Sequence, residues 1–457
     1  MIKHFIYFLI FLFSLLSLYY FLSFSELSPR LGVTALHCFI LIYFVILKSF
    51  FKTKFHNYIF INVLLYFLVI QRGVSIFDTI LFGFREYQIP LSADYTKNLL
   101  LNIFKSEFIF ALGVFCLLTS FTFFLNKRKE TNLITFANNR YLIFVLLYII
   151  FLFIKRISKI DLGALSQVFN ILHIMCIVIL FKYSDSLSSK KFRLYISFLL
   201  GLLITFFYLD SGMKELIILP LLPFLVLLFK HYKSRKARVL IISSSFLLLI
   251  FLQAYITVIR LNVWDNSTKF STIEIFKMAT ENISFDQYTF FFDVIFSRLN
   301  LTNSHTITTY ITDRDGFVPN EVFGPIIYTL IPRLFWPDKP VFRPGEIHTF
   351  RIRQEEYDFN KVVSASAAGF FNEQYLGFGF FGVISFSLFY GTLISLCINF
   401  ISKGGFKILL ISEYYFSYLM LRLDETSLVY SVLSIISATF IFIFLQKFSF
   451  IIKNNRY

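Results

Sequence analysis

Apolar runs of about spanning length recur along the whole chain, and this recurrence limits its fold more than any other feature. They lie at about 5–24, 31–48, 57–71, 108–125, 141–154, 164–181, 193–209, 215–229, 239–259, 371–400, 405–421 and 427–446. A bilayer core needs roughly 20 apolar residues of helix to cross it, so the runs predict about twelve spans. A barrel would show short strands of alternating polarity, and these runs are continuous. Only 15% of the residues are charged, against about 25% in an average soluble domain, and mean hydropathy is +0.72. The expected fold is therefore an all-α polytopic membrane protein, because backbone polar groups in lipid must be satisfied within the helix. The first run follows Lys3 and His4 and has no small-residue cleavage site after it. It reads as the first span and not as a cleaved signal.

The formal charge of +16 is carried by short basic clusters between runs, with no continuous stripe suited to nucleic acid. With the N-terminus in the cytoplasm and twelve alternating spans, cytoplasmic segments carry about 22 Lys and Arg but only the acids Glu130 and Asp185. External segments carry the two signs in near balance. Lys127-Arg128-Lys129, Lys190-Lys191 and the cluster from Lys230 to Arg238 fall inside, as the positive-inside rule requires, while Lys155, Arg156 and Lys159 dissent. The reading is a cytoplasmic (inner) membrane protein with both termini inside.

Two connections are long. Residues 72–107 read as an external loop within a first bundle of about nine helices, 1–259. Residues 260–370 read as a large, partly helical external loop between the ninth and tenth spans, and 371–457 as the last three spans and a cytoplasmic tail. The large loop holds 24 of the chain's 70 charged residues, yet its Trp264, Trp336 and many aromatic residues argue for order. Within it, Phe285 to Ile311 suits one or two amphipathic helices at the interface or docked on the bundle.

The densest motif is Ile331-Pro332-Arg333-Leu334-Phe335-Trp336-Pro337-Asp338-Lys339-Pro340. Its prolines forbid regular helix and stiffen the turn. Arg333 and Lys339 beside Trp336 offer fixed cations for a phosphate and an aromatic face for a sugar, although a Pro-rich hinge with Trp336 at the membrane interface also accounts for it. At the mouth of the tenth span, Gly369-Phe370-Phe371-Asn372-Glu373-Gln374-Tyr375-Leu376-Gly377-Phe378-Gly379 places Glu373 where it is either a general base or a carboxylate favoured by a helix dipole. Asp210-Ser211-Gly212-Met213-Lys214-Glu215 is a turn whose N–H groups and Lys214 suit an anion, or simply a polar turn. Arg260 and Arg298 in the large loop, and Arg422 in a short external turn, are further cations for a phosphate, or solvated helix ends. His305 and His348 have no ligand partners at metal spacing, so no metal and no cofactor is expected. No nucleotide-binding or nucleophile-elbow motif is present.

Three of these stretches in order, Ser211-Gly212-Met213-Lys214-Glu215, Pro332 through Pro340, and Glu373 through Gly379, resemble the Wzy-type oligosaccharide repeat unit polymerases, also called O-antigen polymerases. Members often carry Arg where this chain has Lys214. The resemblance implies a glycosyltransferase at the outer face of the inner membrane, building a surface polysaccharide such as O-antigen or capsule. It would move a glycan from undecaprenyl pyrophosphate to the next lipid-linked repeat unit. It implies Glu373 and Arg333 as catalytic residues. Lys339, Trp336, Arg260, Arg298, Lys214 and Arg422 would bind substrate. Expected partners are the lipid-linked oligosaccharides, the bilayer, and a chain-length regulator and flippase of the same pathway. A glycan ligase and a lipid-linked oligosaccharide flippase are the competing readings.

Overall fold

The computed structural model describes residues 2–24, 29–55, 59–82, 98–125, 139–158, 166–209, 214–241, 302–330, 344–353, 368–402, 406–423 and 428–454, with a few isolated positions such as Tyr255 and Trp336. In chain order the helices are α1 (Ile2–Phe24), α2 (Pro29–Phe55), α3 (Ile59–Phe82), α4 (Leu99–Phe124), α5 (Asn139–Ser158), α6 (Ser166–Ser186), α7 (Lys190–Tyr208), α8 (Lys214–Ile218) and α9 (Leu222–His231). They continue with α10 (Thr302–Asp315), α11 (Pro319–Leu330), α12 (Pro344–Arg353), α13 (Phe370–Ser402), α14 (Phe406–Leu421) and α15 (Leu428–Asn454). Among the described residues there is no strand. Five helices hold stretches long and apolar enough to cross a membrane: Leu31–Lys48, Ile61–Leu81, Leu99–Phe124, Lys190–Tyr208 and Phe370–Ser402. Shorter apolar helices cover Ile10–Leu22, Leu142–Lys155, Leu216–His231 and Leu428–Phe444. The predicted ninth span, 239–259, lies largely outside the described residues.

The chain forms two compact units, Met1–Thr131 with Phe296–Tyr457, and Asn132–Ile295. In the second, α8 and α9 flank a 3-10 turn at Leu219–Leu221 where Pro220 and Pro223 deny the helix its N–H donors. The run lies against α7, where Gly201 has no room for a side chain beside the Pro220 carbonyl and Thr205 Oγ1 donates to the Ile217 carbonyl at 2.9 Å. Asp185 at the end of α6 accepts from Lys230 at the end of α9 at 2.6 Å. This contact brings together two helix ends that the charge count assigns to one side.

In the first unit the segment 72–107, read from sequence as a loop, is corrected: α3 continues to Phe82 and α4 starts at Leu99. Polar residues interrupt the apolar run there without ending the helix, because their side chains turn inward. Of the residues 285–311 expected to form one or two amphipathic helices, 302–311 lie in α10 and 285–301 lie outside the described residues. α4 and the later part of α13 run parallel in close contact. Gly391 meets the Leu117 carbonyl, Ser395 Oγ donates to the Phe121 carbonyl at 2.9 Å, and Asn399 Nδ2 donates to the Phe124 carbonyl at 2.7 Å.

The predicted tenth span is not one straight helix. Phe378 (φ −143°, ψ 23°) and Gly379 (φ 61°, ψ −150°) break it, and Gly379 supplies the left-handed backbone that the break requires. Gln374 Oε1 accepts from Ser387 Oγ at 2.9 Å, and the Phe370 and Tyr390 rings lie 4.7 Å apart between centroids. A continuous helix would hold those two rings about 30 Å apart. The chain therefore reverses at the break. Residues 370–377 form a short arm folded back along a long arm, 380–402, which at 1.5 Å per residue is about 34 Å long. Gly382 allows the reversal, since a side chain there would strike the Gln374 carbonyl.

Candidate functional site

On α3, Gln71, Arg72, Ser75, Asp78 and Thr79 share one face and are almost wholly buried, while Tyr66, Ile70, Phe77, Ile80 and Leu81 point outward. This reverses the pattern of a soluble amphipathic helix. The buried hydroxyls turn back on their own helix, with Ser75 Oγ donating to the Gln71 carbonyl and Thr79 Oγ1 to the Ser75 carbonyl. Arg72 Nη1 donates to Glu107 Oε1 of α4 at 2.6 Å, with both side chains 1% exposed. His37 of α2 brings Nε2 to 3.8 Å from the same oxygen.

The Phe110 ring, one turn beyond Glu107, is shared. The Arg72 guanidinium lies 4.5 Å from its centroid, the His305 ring stacks at 5.9 Å, and Phe371 meets it edge-on at 5.5 Å. It links α3 and α4 to α10 and to the short arm.

α10 carries its own buried polar stripe: Ser304, His305, Thr308, Thr309 and Thr312. Thr308 Oγ1 lies 3.1 Å from His348 Nε2 of α12. Among the described residues neither His305 ring nitrogen has a hydrogen-bond partner, and the ring is buried against Gly369, whose α-carbon leaves no space for a side chain. Burial, reinforced by the Arg72 charge, lowers the His305 pKa to about 3 and keeps the ring neutral.

On the short arm, three consecutive residues face three elements, as the 100° step of a helix dictates. The Asn372 amide meets Thr309 Oγ1 at 3.1 Å. The Thr309 proton also has the His305 carbonyl within 2.9 Å, and that carbonyl can only accept. Thr309 Oγ1 shares its proton between that carbonyl and Asn372 Oδ1, and Asn372 Nδ2 has no partner among the described residues. Gln374 turns to Ser387 on the long arm. Glu373 is 6% exposed, and its Oε2 accepts the backbone N–H of Leu428, the first residue of α15, at 2.5 Å.

Tyr375 Oη donates to Asp313 Oδ1 at 2.8 Å, and Lys105 Nζ reaches the same carboxylate at 2.6 Å. Arg422 follows α14 and donates to Tyr418 Oη at 2.9 Å, with the Tyr430 ring 5.9 Å away. Arg422 and Glu373 therefore both engage the opening turn of α15. Lys214 opens α8, in the other unit. Trp336 is half-buried. Arg333, Lys339, Arg260 and Arg298 lie outside the described residues. No group of three or more metal-ligating side chains occurs among the described residues.

Sequence reasoning missed Arg72, Glu107, His37 and Asn372, and gave His305 no role beyond lacking metal partners. The signal was present: positions 71, 72, 75, 78 and 79 keep helical spacing straight through the supposed loop.

The architecture is that of a helical protein with apolar spans around a buried polar centre. The chain belongs to a family described as a domain of unknown function (DUF8712), which matches residues 33–453. No curated protein and no solved structure matches it.

Proposed function

We propose that the protein is a membrane glycosyltransferase that polymerises undecaprenyl-pyrophosphate-linked oligosaccharide repeat units at the external face of the cytoplasmic membrane. The observation that carries this reading is the folded-back arm. It buries Asn372 against Thr309 beside His305, Glu373 at the α15 terminus and Gln374 against Ser387, while Phe371 meets the Phe110 ring that the Arg72 guanidinium covers. Ionisable groups inside an apolar helix bundle are costly and mark functional pathways. The resemblance in the Pro332–Pro340 and Glu373–Gly379 stretches supplies the reaction class.

In this reading the pyrophosphate is the leaving group, and Arg333 and Lys339 stabilise the charge it takes away. Glu373, held through Oε2 by the α15 terminus, presents Oε1 to the acceptor hydroxyl as general base. The parallel run of α4 and the long arm of α13 agrees with the span count, since alternation gives spans four and ten the same direction. Deleting the gene should leave single-unit surface glycans, and the wild-type gene should restore long chains. Arg333→Ala and Glu373→Gln proteins that insert normally should restore them poorly. Full-length polymer from either variant removes that residue from the mechanism, and long chains in the deletion strain remove the reading.

The interrupted α13 favours a second reading. Broken helices with their ends inside the membrane are frequent in transporters, and a lipid-linked oligosaccharide flippase would leave the glycan on the cytoplasmic face after deletion.

A further inference from the structure

Buried polar groups in folded proteins almost always find partners, and an unmade hydrogen bond costs about 1–3 kcal/mol. The contact between α10 and the short arm of α13 breaks this rule within one turn. Among the described residues His305 has two unpartnered ring nitrogens and Asn372 one unpartnered amide atom, at 1% and 0% exposure. The two residues lie on the same seam, because His305 touches Gly369, and Asn372, three residues on, touches Thr309, four residues after His305.

The chemistry of the seam limits what would satisfy it. The Arg72 charge is matched by Glu107 at 2.6 Å, so there is no net charge to draw an anion. A neutral imidazole offers one donor and one acceptor, and Asn372 Nδ2 offers a donor. A hydroxyl group both donates and accepts and suits each of them. The walls are aromatic, from Phe110 and Phe371. Aromatic walls with a few fixed, uncharged polar groups describe a site for a sugar ring.

We propose that the α10–short arm seam is a binding site for an uncharged, hydroxyl-bearing sugar, with His305 and Asn372 as its hydrogen-bonding residues, entered when the short arm swings about Phe378–Gly379. Resting on the transferase reading, it assigns the seam to the acceptor sugar and leaves the pyrophosphate to the cations of 333 and 339. The described state is closed: Gly369 packs directly on His305, and few side-chain bonds hold the arm, to Thr309, Asp313, Ser387 and the Leu428 N–H.

The test uses full-length protein in lipid nanodiscs, with lipid-linked oligosaccharide extracted from a strain lacking the gene as the probe. Binding and chain extension are measured side by side. His305→Ala should bind about tenfold more weakly, the loss expected for one or two hydrogen bonds. A Thr309→Cys/Asn372→Cys pair, oxidised to lock the arm to α10, should not bind, and reduction should restore binding, which shows that the variant is folded. Unchanged affinity in His305→Ala, undiminished binding by the locked protein, or no binding by the wild type each overturns the proposal. Wild-type binding that responds to the lock without any chain extension upholds the seam and removes the transferase reading. Extension indifferent to both changes removes the seam alone.

Discussion

Breaking the Arg72–Glu107 pair tests most directly whether the first unit is organised around buried charge. The two side chains are 1% exposed and 2.6 Å apart, so neither water nor salt weakens their attraction as at a surface. Removing one partner leaves the other's charge stranded, and such changes cost about 3–5 kcal/mol. Replacing both with apolar residues of similar volume leaves nothing stranded and is often nearly neutral. Arg72→Met and Glu107→Leu should each therefore lose about 3 kcal/mol or more of unfolding free energy. The double variant should lose much less than the sum, giving a coupling of at least about 2 kcal/mol. The assay is reversible unfolding of the protein in mixed micelles by sodium dodecyl sulfate, followed by helical circular dichroism. Single losses below about 1 kcal/mol, or losses that simply add, would refute the buried-pair argument.

Three further outcomes follow from the same structure. Burial holds His305 down to about 3 and His348 to about 4, both below the ordinary 6.5. The unfolded chain therefore takes up protons that the folded chain refuses, and stability is full above about pH 6.5 and falls by several kcal/mol towards pH 4. A His305→Asn/His348→Gln protein should lose much of that acid limb in a pH series of melting curves, and an unchanged limb counts against the assignment. Gly391→Leu should force α4 and α13 apart at the Leu117 carbonyl and cost about 2–3 kcal/mol; a wild-type unfolding midpoint would show that the parallel contact is not made. Gly379→Ala places a side chain at φ 61° and against the Phe317 ring; about 1–2 kcal/mol should be lost, read as faster proteolysis around 378, and unchanged cleavage would argue against the reversal.

Several helices were legible because burial in lipid and burial in protein both select apolar residues. α1, α2 and α5 each contain their predicted apolar run. Hydropathy alone failed at α3 and α4, where Arg72, Asp78, Lys105 and Glu107 looked like loop because their burial depends on partners far away in sequence. It also failed at α13. An apolar run has no direction, so Gly377-Phe378-Gly379 read as part of a motif at the mouth of a span, when it is the point where the chain turns back. Glu373 was found as a residue but not in its setting, since nothing local to 373 indicates that Leu428 will supply its hydrogen bond.

The inverted face of α3 has a consequence for how the protein is made. An insertion channel judges each segment as it emerges, and Arg or Asp near the middle of a helix each weighs against entry by roughly 2.5–3.5 kcal/mol. With Arg72 and Asp78 both aboard, α3 alone is a reluctant membrane segment, and Glu107 arrives only after further synthesis. The helix must wait at the channel for α4, so truncation before residue 107 should leave α3 stranded outside the lipid.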